Sequence, residues 1–276
     1  MLSWFDFLPL RAERQGPWQI ISFLEIREAA EDEGLSPIEA EIRCLQRGYV
    51  PSRYIRNMGT IGIDGQIRLL RSSVAVIGCG GLGGLVADLL ARAGVGRLVL
   101  VDGDVFDETN LNRQILSTEG NLGLSKSKVA AQRVYEINGA LEPEARQCMF
   151  DEYTAPGILE GCDLAVDCLD SLTTRRVLFT ECRTRGIPVV SGAIGGFWGQ
   201  VGIAMPDDQN LAEFLSGDTD KGVETETGNP PFTPAVVAAL ECAQAVKILT
   251  GKGKVLRDQL LWMDLAEDEF TRLRLS

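Results

Sequence analysis

Apolar positions along this chain fall into short blocks separated by stretches of helical period, most clearly after residue 70. Ser73–Ile77 (SVAVI) is an unbroken β-rich run ending at glycines, the pattern of a strand buried on both faces. Leu82–Ala93 then has helical character and stops at Gly94 and Gly96. Arg97–Val101 (RLVLV) is a second apolar strand, closed by Asp102. Ser125–Ile137 puts Val129, Ala130, Val134 and Ile137 on one helical face and Lys126, Lys128 and Gln132 opposite, and Asn138-Gly139 stops it. Further strands are expected at Ala145–Phe150, Leu164–Cys168, Pro188–Ser191, Gln200–Met205 and Gln259–Asp264, with a helix from Thr233-Pro234 to Thr250. This alternation predicts an α/β fold: a doubly wound, Rossmann-like, mainly parallel sheet with an antiparallel C-terminal edge.

Two regions stand outside that alternation. Residues 1–52 read as a helical N-terminal extension, in which Ser36-Pro37-Ile38-Glu39 is a capping box with proline at the first helical position. Residues 206–229 carry seven acids against one lysine and no clear period, so they read as a long polar loop.

Composition narrows the chemistry. There is no histidine among the 276 residues, which excludes Ser-His-Asp and Cys-His catalysis and histidine metal sites. Any reaction must run on carboxylates, Lys, Arg, Cys or a bound metal. Seven scattered cysteines without a C-x-x-C pair argue against a disulfide framework or zinc ribbon and suit a reducing cytoplasm. The net charge of −12 argues against wholesale nucleic-acid binding. No run of about 18 apolar residues is seen, so no membrane span is expected. MLSWFDFLPLRAERQG, without a basic leader, does not resemble a signal peptide.

The densest signal is VIGCGGLGG, residues 76–84, with five glycines in seven positions. Gly78-x-Gly80-x-x-Gly83 follows a strand, opens a helix and is answered by Asp102 at the end of the next strand. That is the dinucleotide fingerprint, with phosphates on a helix N-terminus and a carboxylate on a ribose hydroxyl. By itself it does not choose between NAD and ATP, and no P-loop lysine follows. The segment 102–128 (DGDVFDETNLNRQILSTEGNLGLSKSK) adds Arg113 and Lys126, the cationic groups that a triphosphate needs and a dinucleotide does not. DLAVDCLDSLTTRR, residues 163–176, delivers Asp167 and Asp170 to the same sheet edge. Asp170 there could hold Mg²⁺ against phosphates, or Asp170 or Ser171 could cap the next helix.

Together VIGCGGLGG, VDGDVFDETNLNRQ, GLSKSK and DCLDSLTTR, with RYIRNMG at 53–59 and the late GNPPFTPAVVAALECAQAVKILTG, resemble the ThiF/MoeB/HesA family of the ubiquitin-activating (E1-like) superfamily. The resemblance spans about 53–265 and makes 53–276 the adenylation domain, with a crossover loop at about 206–232. It implies ATP- and Mg²⁺-dependent adenylation of the C-terminal glycine of a small ubiquitin-like sulfur carrier, by a homodimer. It places phosphates on Gly78, Gly80, Gly81 and Gly83, the ribose on Asp102, the triphosphate on Arg113 and Lys126, and the metal on Asp170. Arg56 would reach the neighbouring subunit's triphosphate, and Asp104 and Asn110 would line the site. The paired C-x-x-C motifs of zinc-binding relatives are missing, so no zinc is expected, with Pro230-Pro231 and loop packing in its place. Residues 183–241 hold no cysteine, so adenylation without a thioester is expected, with Cys79 and Cys242 as packing residues. Ser171 stands where the family commonly has asparagine. Activation of a small-molecule or tRNA-base carboxylate, an NAD-dependent oxidoreductase and a non-catalytic nucleotide-binding scaffold are the alternatives.

Overall fold

A computed structural model describes residues 3–207, 211 and 227–275 of the chain. Most of the acidic stretch 206–229 lies outside these residues.

The N-terminal region holds helices α1 (Leu8–Arg11), α2 (Phe23–Glu33) and α3 (Pro37–Gln46) and strands β1 (Glu13–Gln15), β2 (Trp18–Ile21) and β3 (Tyr49–Pro51). The strands form a small sheet in the order β1-β2-β3, so the extension is mixed rather than helical as its sequence suggests. The miss has a cause: strands of three or four residues are too short to display a period of two. The expected cap of α3 is present, with the Glu39 amide donating to Ser36 Oγ at 3.2 Å. The N-terminal region has its own small core of Trp4, Phe5, Leu8, Ile21, Ile26, Ala29, Ala30, Ala40 and Cys44. Helix α3 faces two ways, because Ile42 and Leu45 join the main core.

The main domain comprises α4 (Gly62–Arg71), β4 (Ser73–Ile77), α5 (Gly83–Ala93), β5 (Arg97–Val101), α6 (Lys126–Ile137), β6 (Glu142–Arg146) and α7 (Ala155–Leu159). It continues through β7 (Leu164–Asp167), α8 (Leu172–Arg185), β8 (Val189–Gly195), β9 (Trp198–Ala204), α9 (Phe232–Thr250), β10 (Gln259–Asp264) and β11 (Glu269–Arg274). One eight-stranded sheet runs β11-β10-β9-β8-β7-β4-β5-β6. Strands β4 to β8 are mutually parallel, and β9, β10 and β11 add antiparallel pairs at the C-terminal edge, as the pattern predicts. β6 begins earlier than Ala145–Phe150, because Glu142 to Arg146 pair with Arg97 to Val101 while Met149 and Phe150 lie beyond the ladder. β11 escaped the sequence reading, since its six residues are exposed and carry no apolar period.

Helix α9 is the most apolar of the described helices by length and composition. Its 19 residues, with a mean hydropathy of 1.4, are long and apolar enough to cross a membrane. Here it packs on α4, α5, β8 and β9 and buries Val237, Ala238 and Ala245 completely. Each such Val, Leu or Ile of the core contributes on the order of 1.5–3 kcal/mol.

The strand register sets up the site. Ile77 lies opposite Val101 on one side and Asp167 on the other, and Asp167 lies opposite Ser191. The first residues beyond β4, β5 and β7 therefore emerge side by side at the carboxyl edge. β4 is also where the strand order reverses, the place at which such sheets bind ligands.

Candidate active site

A cleft of about 450 Å³ opens at this edge. Gly78 bends out of β4 with φ of +93°, a conformation suited to glycine, and a Cβ there would lie 2.7 Å from the Cys168 carbonyl oxygen. Gly83 starts α5 so close to the strand that a Cβ would lie 1.7 Å from the Gly78 carbonyl oxygen. Gly83 therefore serves helix–strand packing and does not line the cleft, whereas Gly78, Gly80 and Gly81 do. Gly80 lies under the Gln114 carboxamide, and Gly81 between Arg113 and Pro234.

Asp102, directly after β5, lines the cleft. One carboxylate oxygen accepts from the Cys79 amide at 2.8 Å and the other from the Asp104 amide at 2.8 Å. Burial still dominates and raises its pKa above the usual carboxylate value, with those amides and Lys126 opposing. Each oxygen keeps a further lone pair for a ligand hydroxyl.

The cationic side is built from the loop after β5. Lys126 is the first residue of α6, 8% exposed, and its Nζ lies 3.1 Å from Asp104 Oδ2. Arg113 projects into the cleft and donates to the Thr109 carbonyl and to Asn112 Oδ1, each at 2.8 Å. Lys128 is exposed on the helix face, as its position predicts.

Asp170 follows β7, is exposed and lines the cleft. The capping role falls to Ser171, whose Oγ accepts the Thr174 amide at 3.2 Å. Among the described residues no three carboxylate or cysteine side chains gather at metal-binding distance. A site of one carboxylate still fits Mg²⁺ chemistry, in which substrate phosphates and water supply most ligands.

Two expected residues lie elsewhere. Asn110 is buried outside the cleft lining, and its Oδ1 accepts the Asp107 amide at 3.1 Å, so it holds the loop that carries Arg113. Arg56 is exposed on a 3-10 turn (Ser52–Asn57) and does not line this chain's own cleft. Cys79 and Cys242 are packed, their thiols pushed well up by burial.

The sequence reading missed the floor and the far wall. Arg175 of α8 lines the cleft from below, and Cys148, Met149 and Phe150 form an apolar end next to Asp102 and Gly103. Gly103 is needed there, since a Cβ would lie 2.6 Å from Met149 Sδ. Trp198 and Trp262 close the opposite side. Only the "TTRR" run hinted at any of these. The crossover re-entry is pinned by hydrogen bonds: Asn112 Nδ2 to the Asn229 carbonyl, the Gly196 amide to the Gly228 carbonyl, and Thr233 Oγ1 to the Gly196 carbonyl.

Comparison with known proteins agrees with this geometry. The SAMP-activating enzyme E1 of Haloferax volcanii is 34% identical over 223 residues, covering 79% of this chain and 83% of that protein. The sulfur carrier protein adenylyltransferase of Thermus thermophilus is 35% identical over 238 residues, covering 80% and 86%. Among solved structures, PaaA shares the fold with a TM-score of 0.69 at 23% identity, over 81% of this chain and 72% of that one. Residues 53–276, the part that builds the cleft, match the ThiF family as a whole, and the chain belongs to that family.

Proposed function

We propose that the protein uses ATP to adenylate the C-terminal glycine carboxylate of a small ubiquitin-like sulfur carrier ending in Gly-Gly, releasing pyrophosphate. The observation that carries this reading is the convergence of the glycine loop, Asp102, Arg113, Lys126 and Asp170 on one cleft at the sheet's switch point. The pyrophosphate of a redox dinucleotide can be held by backbone amides and a helix dipole with little cationic help, whereas a departing pyrophosphate needs Arg113 and Lys126. The names of the two relatives above, which act on sulfur carriers or SAMP, support the same substrate class.

In this mechanism Gly78, Gly80 and Gly81 let the phosphates approach the N-terminus of α5, and Asp102 accepts from the ribose. The carrier's carboxylate attacks the α-phosphorus. A carboxylate is already nucleophilic at neutral pH, so no general base is required and a histidine-free cleft suffices. Arg113 and Lys126 stabilise the charge that gathers on the leaving pyrophosphate, so catalysis rests on positioning and charge neutralisation. Mg²⁺, held by Asp170 and phosphate oxygens, would add further charge neutralisation.

Arg56, exposed and outside the lining of its own cleft, serves the partner's site in a homodimer. No zinc is part of this reading; the hydrogen bonds at Gly196, Gly228, Asn229 and Thr233 hold the residues that lead into α9. A reducing, cytoplasmic setting suits its seven free cysteines.

The test is ATP–pyrophosphate exchange in the presence of a diglycine-ended carrier. Exchange dependent on the carrier supports the reading; binding of NAD without ATP, or exchange driven by a small carboxylate alone, overturns it.

A further inference from the structure

Beneath the cleft lies a buried charge cluster that the mechanism above does not use. Asp167, at the end of β7, is fully buried; its Oδ2 accepts from Ser191 Oγ at 2.6 Å, and its Oδ1 from the Leu169 amide at 3.2 Å. Arg175 is 4% exposed and pairs with Asp167 at 2.6 Å from Nε to Oδ2, close in distance but not aligned as a hydrogen bond. Its Nη2 donates to the Leu169 carbonyl at 2.8 Å and to the Gly192 carbonyl at 3.1 Å. Leu169 directly precedes Asp170, so Arg175 ties the segment that presents Asp170 to the sheet below.

Glu241 of α9 completes the cluster. It is fully buried, its carboxyl has no well-aligned hydrogen bond beyond the approach of the Gly192 amide, and it presses on β8 so closely that a Cβ at Gly192 would lie 2.6 Å from it. The groups facing it are Asp167 from β7, Arg175 from α8, the Cys168 thiol just beyond β7 and Cys242 on its own helix.

We propose that Glu241 is a positioning residue for the cleft: packed on Gly192 beneath the Asp167–Arg175 pair, it leaves Arg175 committed to Asp167 and to the Leu169 carbonyl, and so fixes Asp170. The charge count supports this. Asp167 and Arg175 balance, and an ionised Glu241 would add one uncompensated negative charge to a dry site. Burial accordingly holds its pKa well above the usual carboxylate range, with Asp167 adding to the shift and Arg175 opposing it. A charged Glu241 would compete for Arg175, draw the guanidinium from the Leu169 carbonyl and release the 168–171 segment.

This inference rests on the adenylation reading for Asp170's role, but not for the state of Glu241. Thermal melts without nucleotide, run from pH 7 to 10, compare wild type with Glu241→Gln, and exchange kinetics follow kcat and KM over the same range. Wild type should lose stability as pH rises, and at the pH where Glu241 ionises kcat should fall at least about fivefold while KM for ATP moves less than about twofold. Glu241→Gln should lose less stability than wild type over this range, the buried thiols adding the same fall to both above about pH 8.5, and it should lack the fall in kcat and keep its pH 7 kcat within about twofold. Arg175→Lys, whose single ammonium cannot span three acceptors, should lower kcat at least about tenfold at every pH with the fold intact. Melting curves of wild type and Glu241→Gln that fall in parallel overturn the proposal, as does an Arg175→Lys enzyme with normal kcat. Absent exchange by wild type sinks the adenylation reading instead, and the melts still decide where the proton sits.

Discussion

Gly83 has no room for a side chain: a methyl there would meet the Gly78 carbonyl at 1.7 Å. Gly83→Ala should therefore destabilise the fold by about 3 kcal/mol or more, at the high end of overpacking costs, read as a lowered thermal midpoint. Gly81 has its nearest neighbour at 3.7 Å from a built Cβ, so Gly81→Ala should fold normally and weaken ATP affinity instead, measurable by calorimetry. Arg113→Ala and Asp170→Ala should each lower exchange by about 10²-fold or more with melting unchanged, since both groups act on charge that develops during the reaction. At this scale the sequence identified the glycine loop and the charged side of the cleft. The glycines, Asp102, Arg113, Lys126 and Asp170 sit at element ends, where the strand pattern already assigns an edge. Arg175 and Glu241 stayed hidden because each looks like an ordinary charge in a helix, and burial is not written in residue type.

At the scale of elements, the N-terminal extension is fastened to the main domain by one polar knot. Tyr54 Oη donates to Glu41 Oε2 at 3.0 Å and accepts from Asn138 Nδ2 at 2.7 Å, while Arg53 bonds Asn138 and pairs with Glu41. Burial pushes the Glu41 carboxyl up to about 7, against the opposing pull of Arg53 and Tyr54. A raised carboxylate pKa means the folded state holds the proton that the unfolded chain releases near pH 4.5, so the Glu41 contribution to stability falls as pH rises from there to about 7 and changes no further above. Linkage allows up to about 3 kcal/mol across this window. Glu41→Gln should reduce the slope in denaturant titrations between pH 5 and 7 by that share, leaving the part due to Asp102, Asp167 and Glu241. The knot was illegible in the chain, because its members come from α3, the 53–59 segment and the end of α6. The short strands β1 to β3 were missed for a related reason: their pairing, not their composition, makes them strands.

On the scale of the whole molecule, Arg56 separates two architectures. If it completes the neighbour's cleft, Arg56→Ala and Asp170→Ala should each be nearly inactive, yet regain about one quarter of wild-type exchange when mixed and allowed to reassemble. Half of the random dimers are then mixed, each with one intact site. No recovery on mixing would mean that each chain works alone. The run of main-sheet strands from β4 to β10, the switch point and the class of ligand were determined by the sequence alone, because apolar period, glycine spacing and charge placement are local properties of the chain. Tertiary structure decided which glycine packs and which opens the cleft, that Asn110 braces a loop, that the extension carries a sheet, and that Arg175 and Glu241 lie together under the floor. Those outcomes depend on which surfaces meet across the sheet, and that is set by packing between residues far apart in the chain.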